Sequence, residues 1–172
     1  MGHSTLSRAL ALLLLSSSLA CVSPARPHGA PAAAKSSQQA GPKLLGTEAE
    51  VGREYGCGQR SEPLLVLEES SLRPTPLAAG QEFGHRIVYA LCPARSRQAV
   101  AGKLRTRIRF GNGVLVDDRA DFTVRPGRWA VDTFIALPPE AKPGGYELEL
   151  EFTSAASPVR FTTKMPFSVW LK

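Results

Sequence analysis

Residues 103–122 read KLRTRIRFGNGVLVDDRADF, two segments of alternating side chains on either side of a glycine-rich turn. A period of two predicts β-strands, and GNG between them predicts a hairpin. A two-residue turn at Asn112 and Gly113 would mix apolar and charged side chains on one face. A three-residue loop at residues 111–113 separates the faces and puts Gly113 in the left-handed position that such loops require. This register pairs Phe110 with Val114, Ile108 with Val116, Leu104 with Ala120, Arg107 with Asp117 and Lys103 with Asp121.

The same period continues along most of the chain after residue 56. Alternating or continuously apolar segments are separated by proline and glycine turns, and no helical period is convincing. The pattern predicts an all-β fold, a seven-stranded antiparallel immunoglobulin-like β-sandwich in one domain. The predicted strands are residues 64–68, 83–91, 103–110, 114–124, 129–137, 146–152 and 159–171.

The stretch PPEAKPGGYELELEF, residues 138–152, carries a family resemblance. Proline and glycine before a tyrosine that opens an alternating strand resemble the corner before the sixth strand of bacterial immunoglobulin-like and fibronectin-like domains, including macroglobulin-type modules. The resemblance covers about residues 63–172 and implies that Tyr146 hydrogen-bonds across that corner. Leu148 stands where antibody domains have their second cysteine, so their inter-sheet disulfide is absent. The resemblance implies a fold and a binding or spacing role, with no reaction attached.

The first twenty residues are typical of a signal peptide. Arg8 precedes an apolar segment at residues 9–15, which is too short to cross a bilayer, and small residues follow at Ser18 and Ala20. Cys21 after Ala20 resembles the lipobox of bacterial lipoproteins, in which the cysteine is acylated and becomes the new N-terminus. Ordinary cleavage after Ala20 and an uncleaved helix are the alternatives. The first reading predicts lipidation of Cys21, a membrane partner through that anchor, and the bacterial outer membrane as location; the second predicts a periplasmic or secreted protein.

A segment rich in proline and alanine follows Cys21 and has no acidic or aromatic residue up to residue 46. Such a segment buries too little apolar surface to offset the entropy of ordering, which predicts a disordered tether. The predicted organisation is therefore a signal peptide at residues 1–20, a tether at 21–46 and a β-sandwich domain at 47–172.

The charge of the chain is divided unevenly. It carries 21 basic and 15 acidic residues, a net charge of +6. Four of the basic residues precede residue 47, so the predicted domain has 17 basic and 15 acidic residues, or +2. The basic row of KLRTRIRF could bind nucleic acid or an anionic glycan. Glutamates at 147, 149 and 151 form an acidic row on a strand expected beside it, which predicts a neutralised ladder and no nucleic-acid partner.

The remaining candidate residues favour structural roles. Cys57 and Cys92 remain if Cys21 is acylated, and an even pair in an exported domain predicts a disulfide. The DDRAD motif has the spacing of terpene-synthase metal ligands, but on a strand Asp118 points away from Asp117 and Asp121, so no metal site is predicted. His85 lies on the presumed core face without a nucleophile and orienting acid, so no catalytic residue and no cofactor is predicted. Trp129 and Trp170 are candidate partner contacts if either is exposed.

Three function classes follow from these observations. The favoured one is a non-catalytic lipoprotein, a tethered module that contacts another envelope or secretion-system protein through an edge strand or loops. A polysaccharide-binding or adhesion module is the alternative and requires exposed aromatic side chains. An enzyme or an enzyme inhibitor has the least support, because the chain has so few histidines and cysteines.

Overall fold

The computed structural model describes residues 41–94 and 98–170, so the predicted signal peptide, Cys21 and residues 22–40 of the tether lie outside the described residues. The described chain is mostly β, with one α-helix and nine strands in two sheets. Sheet A has the order β1-β7-β4-β2, and sheet B the order β3-β9-β8-β5-β6. The elements are β1 Lys43–Gly46, α1 Glu48–Tyr55, β2 Leu64–Arg73, β3 Leu77–Ala78, β4 Glu82–Cys92, β5 Val100–Phe110, β6 Gly113–Val124, β7 Gly127–Ala136, β8 Gly144–Thr153 and β9 Arg160–Trp170.

The two-sheet β architecture agrees with the sequence, but the prediction of seven antiparallel strands needs correction. Two short strands, β1 and β3, add to the seven, and β3 pairs parallel with β9. β1 consists of the last four residues assigned to the tether, and it pairs with β7, so the folded part begins before residue 47. Neither short strand has enough residues to give a recognisable period, and their pairing partners lie far away in the chain.

Helix α1 was also not predicted, although its start carries a clear local signal. The side chain of Thr47 accepts a hydrogen bond from the backbone N–H of Glu50, and the Glu50 carboxylate accepts from the N–H of Thr47, which is a capping box. Val51, the buried residue of this helix, packs on Ala90 and Cys92. α1 therefore covers one half of the outer face of sheet A.

Arg128 of β7 links this helix to sheet A, because it binds a carboxylate of α1 and a carboxylate of β2. Its Nε lies 2.6 Å from Glu68 Oε2, and its Nη2 lies 2.8 Å from Glu54 Oε2. The hydroxyl of Tyr55 donates to Glu68 at 2.8 Å. These contacts hold the pKa of Glu68 below its usual value, with the Arg128 hydrogen bond as the largest cause.

The predicted register of the β5–β6 hairpin is confirmed over most of its length. Lys103 pairs with Asp121, Leu104 with Ala120, Arg107 with Asp117 and Ile108 with Val116. The tip differs from the prediction, because a bulge after Ile108 pairs Arg109 with Val114 and Phe110 with Gly113. The left-handed residue is Gly111, with φ of +53°, and not Gly113. The extra residue, Leu115, lies in a bulge of β6, so the loop between the strands has two residues and not the predicted three.

The core lies between the two sheets and is built from the inward residues of each strand. The largest fully buried side chains include Tyr89, Phe83, Ile87 and Leu91 of β4 and Phe152, Leu148 and Leu150 of β8. The outward residues on β8 are glutamates and those on β5 are basic, so the alternation seen in the sequence is the division between core and surface.

Candidate binding surfaces

A shallow groove of about 530 Å³ lies on the outer face of sheet A, on the half that α1 leaves uncovered. Its residues come from two rows of paired positions on three adjacent strands. One row is Arg73, Gly84 and Phe134, and the next is Ser71, Arg86 and Asp132. Glu69 lines the groove on the β2 side, and the paired positions His85 and Thr133, which lie between the two rows, also contribute to the lining. At Gly84, the Phe134 ring and the carbonyl of Arg73 come within 3.4 to 3.6 Å of the place where a Cβ would lie.

The charged groups of the groove are loosely held. Arg86 Nη1 is 3.6 Å from Asp132 Oδ1, which is an ion pair beyond hydrogen-bond distance, and both side chains are more than a third exposed. The hydroxyl of Ser71 donates to Glu69 at 3.2 Å. Within the described residues, Arg73 makes no ion pair or side-chain hydrogen bond. These side chains are therefore available to a ligand.

Histidine 85 lies on the same strand as Gly84 and Arg86 but on the opposite, core-facing side. It is 3% exposed, and its Nδ1 has no hydrogen-bond partner among the described residues. Burial lowers the pKa of His85 to about 4, and the nearby Asp132 carboxylate offsets only part of this effect. The imidazole is therefore neutral at neutral pH and acts as a core residue.

A second surface, called here the apolar end, lies at one end of sheet B. It consists of four exposed large apolar side chains, Phe110 (37%), Val114 (48%), Leu115 (38%) and Trp170 (50%). The Phe110 ring stacks on Tyr146 with centroids 4.6 Å apart and covers Gly144, where an added Cβ would approach it to 2.9 Å. Gly144 pairs with Val169, the buried neighbour of Trp170, so Phe110 and Trp170 lie toward the same end of the sheet but point to opposite faces.

The structure separates the two tryptophans. Trp129 is half-buried against the core, its indole N–H donates to the carbonyl of Pro126 at 2.9 Å, and the Arg125 guanidinium lies 5.4 Å from the ring centroid. Trp170 is half-exposed. Trp129 is therefore a packing residue, and Trp170 is the one that can meet a partner.

The basic row of β5 is paired on both sides, as predicted. Arg105, Arg107 and Arg109 lie opposite Glu151, Glu149 and Glu147 of β8. The charge ladder is defined here as these six residues together with Lys103, Asp117, Asp121 and Lys164. Its contacts are Arg107–Glu149 at 2.7 Å, Arg107–Glu151 at 3.1 Å, Arg109–Glu149 at 3.0 Å, Lys103–Asp121 at 2.6 Å, Arg105–Asp117 at 2.7 Å and Lys164–Glu147 at 3.0 Å.

One detail of the ladder differs from the sequence prediction. Arg107 lies opposite Asp117 in the register but turns toward the glutamates of β8, and Asp117 is bound instead by Arg105. The Arg105 hydrogen bond holds the pKa of Asp117 below its usual value. The basic row is therefore neutralised within its own sheet.

The structure contains the predicted disulfide between Cys57 and Cys92 and the predicted hydrogen bond of Tyr146. Cys57 and Cys92 form a disulfide with their Cα atoms 5.3 Å apart, next to Val51 of α1. Tyr146 is buried, and its hydroxyl donates to the carbonyl of Lys142 at 2.8 Å, which is the contact expected of a corner tyrosine.

Asp117 and Asp121 of the DDRAD motif face outward to their ladder partners, while Asp118 lies opposite Thr106 on the other face. Across residues 41–94 and 98–170, no group of three potential ligands is arranged to hold a metal ion. No helix in this part of the chain has the length and apolar character to cross a membrane.

No protein-family model and no curated protein matches the chain. Among solved structures it is similar to a family 123 glycoside hydrolase from Clostridium perfringens (15% identity, 56% of this chain and 22% of that one, TM-score 0.42). It is also similar to the β-glucosidase EmGH1 from Erythrobacter marinus (8%, 63% and 16%, TM-score 0.44) and to the sporulation control protein Spo0M from Bacillus subtilis (12%, 63% and 48%, TM-score 0.40). The chain spans less than half the length of each of these proteins.

The groove residues Arg73, Arg86, Asp132 and Phe134 were not singled out from the sequence. They come from three separate strands and carry no spacing motif. Two local features of the sequence point to them. Each occupies an outward position of a strand, and Gly84 lies inside β4, where a glycine often marks the close approach of a ligand or another chain segment.

Proposed function

We propose that this chain is a non-catalytic exported bacterial lipoprotein whose immunoglobulin-like β-sandwich binds another protein of the cell envelope. The observation that carries the proposal is the apolar end. Phe110, Val114, Leu115 and Trp170 are exposed at one end of sheet B, whose outer face also carries the paired charges of the ladder. Exposed aromatic and aliphatic side chains occur at protein contacts, and a tryptophan is a frequent centre of such contacts.

The immunoglobulin-like part of the proposal rests on the order of the strands. β4, β7 and β2 share one sheet, while β5, β8 and β9 share the other, which is the division of the first, second and fifth strands from the third, sixth and seventh. The fourth long strand, β6, lies beside β5 in the second sheet, whereas constant-type immunoglobulin domains have it in the first. The hydrogen bond of Tyr146 at the corner before β8 supports the same assignment.

Lipid attachment at Cys21 is tested first by labelling. Cells that express the full chain are given a fatty acid with a detectable tag, and the same is done with Cys21→Ser. We expect label and membrane fractionation for the wild type and neither for the variant. Absence of label together with equal solubility of the two proteins would refute the anchor.

Partner contact is tested separately by photo-crosslinking in intact cells. A photo-reactive residue replaces Trp170 in the apolar end, and the matched control replaces Thr162, which is exposed on the same strand but away from that end. We expect a discrete protein adduct from position 170 that weakens when Leu115→Ser is added, and none from position 162. Equal crosslinking from both positions, or none from position 170, would contradict the proposal.

A further inference from the structure

We propose that the groove on the outer face of sheet A binds a neutral saccharide. This site lies on the sheet opposite the apolar end, and it does not depend on the protein partner or on the lipid anchor. The proposal rests on an aromatic ring, a balanced set of charged groups and the room between them.

Phe134 provides a flat apolar surface. Its Cε1 lies 3.4 Å, and its Cδ1 3.6 Å, from the position that a Cβ on Gly84 would occupy. The ring therefore packs beside the backbone of the neighbouring strand, in van der Waals contact with the position where a Cβ would lie. Phe134 lines the groove and is only half-buried, so part of its ring is accessible to a ligand.

The polar groups around the ring include both hydrogen-bond donors and acceptors. Arg73 and Arg86 donate, Glu69 and Asp132 accept, and the hydroxyl of Ser71, which donates to Glu69, can accept as well. The two positive and two negative charges cancel. An anion would meet as many carboxylates as guanidinium groups, and a purely apolar ligand would take these charges out of water without pairing them.

A sugar ring has the complementary chemistry. Its faces carry C–H groups that pack on an aromatic ring, and its edge carries neutral hydroxyls that both donate and accept. The volume of about 530 Å³ is in the range of ligand sites in proteins, and the open shape on a sheet face admits a short oligosaccharide. The 3.6 Å separation of Arg86 from Asp132 is longer than a hydrogen bond, so each group can still bond to a ligand hydroxyl.

The test uses the exported chain, purified with Cys21→Ser so that residue 21 carries no acyl group, and labelled for amide NMR spectroscopy. The neutral probes are maltohexaose, cellohexaose and chitohexaose, with polygalacturonate as the charged probe and an acetylated tripeptide as the peptide probe. We expect at least one neutral probe to shift the amides of β2, β4 and β7 around the groove and to leave the apolar end unchanged.

Two variants then test the contacts. Phe134→Ala should weaken that binding by about three- to ten-fold, the range expected for loss of an aromatic contact. Arg73→Ala should weaken it by about ten-fold, because it removes a charged donor that holds no structural contact within the described residues. Phe134→Tyr, which keeps the ring, should bind nearly as the parent does, and Phe110→Ala on the other sheet should leave the affinity unchanged.

The inference is overturned if none of the neutral probes shifts the groove amides, or if the tripeptide or polygalacturonate shifts them and the neutral probes do not. It is also overturned if Arg73→Ala and Phe134→Ala bind as tightly as the parent chain. If Phe134→Ala fails to fold, as judged by its amide spectrum, the exposed Arg73→Ala decides the question.

Discussion

The charge ladder should be strong at its centre and weak at its end. Arg107 and Glu149 lie 2.7 Å apart with side chains 15% and 9% exposed, whereas Lys103 and Asp121 lie 2.6 Å apart with side chains 65% and 89% exposed. The distances are similar, so the difference in solvent exposure decides the difference in free energy. Water screens the outer pair almost fully and the inner pair only in part.

The expected magnitudes follow from this difference. Arg107→Met leaves the buried Glu149 with Arg109 as its remaining partner, at 3.0 Å, and should lower the free energy of unfolding by about 2 kcal/mol, between the values for exposed and fully buried pairs. Lys103→Met should cost about 0.5 kcal/mol or less. Glu149→Met together with Arg107→Met should restore a large part of the loss, because no buried charge of that pair is left unpaired.

Urea unfolding followed by circular dichroism measures these changes, in low and in high salt. A double-mutant cycle at Arg107 and Glu149 should give a coupling free energy of at least about 1 kcal/mol that changes little with salt. The cycle at Lys103 and Asp121 is the matched control and should give a small coupling that salt removes. Equal couplings for the two pairs, or none at Arg107 and Glu149, would refute the role assigned to burial.

Three further predictions concern the core and its covalent link. Burial lowers the pKa of His85 from 6.5 to about 4. As the pH falls from 6.5 to 4, His85 is therefore protonated in the unfolded chain but not in the native one. The free energy of unfolding should fall by about 3 kcal/mol over this range. His85→Leu should remove that part of the pH dependence in urea titrations at about pH 7.5 and 4; an unchanged pH dependence would contradict it. Thiol titration should find Cys57 and Cys92 unreactive until the protein is reduced, and two free thiols in the unreduced protein would exclude the disulfide. Cys57→Ser should lower the free energy of unfolding by about 3 to 4 kcal/mol, the value expected for a separation of 35 residues. Tyr146→Phe removes one hydrogen bond, to Lys142, and should lower the thermal midpoint by an amount equivalent to about 1 kcal/mol; no change would mean that water replaces the contact without cost.

The sequence predicted those parts of the fold that repeat along the chain. Alternation over long segments fixed which side of β5, β6 and β8 faces the core, and a shift of one residue would have buried Arg107 and Glu149 between the sheets. β1 and β3 were missed because a strand of four or two residues has no measurable period. The hairpin tip was wrong because a bulge and a longer loop satisfy the same pattern of faces, and only the hydrogen bonds between the strands distinguish them.

The candidate site was harder to predict, because its residues are close only after three strands have paired. The sequence drew attention to the basic row of β5, where several arginines follow one another, and away from Arg86, a single arginine in an apolar strand. In the structure, Arg86 is more accessible to a ligand than the arginines at the centre of that row. Arg107 is held by two glutamates at 2.7 and 3.1 Å and is nearly buried, while Arg86 has one partner at 3.6 Å and is 41% exposed. A ligand that competes for Arg107 must displace two glutamates from its Nη2 and reach a side chain whose Nε is buried, whereas a ligand at Arg86 meets an exposed guanidinium with one loose ion pair. The density of charge in a sequence therefore does not locate a binding site in this protein; what locates it is the charge that its own neighbours fail to satisfy.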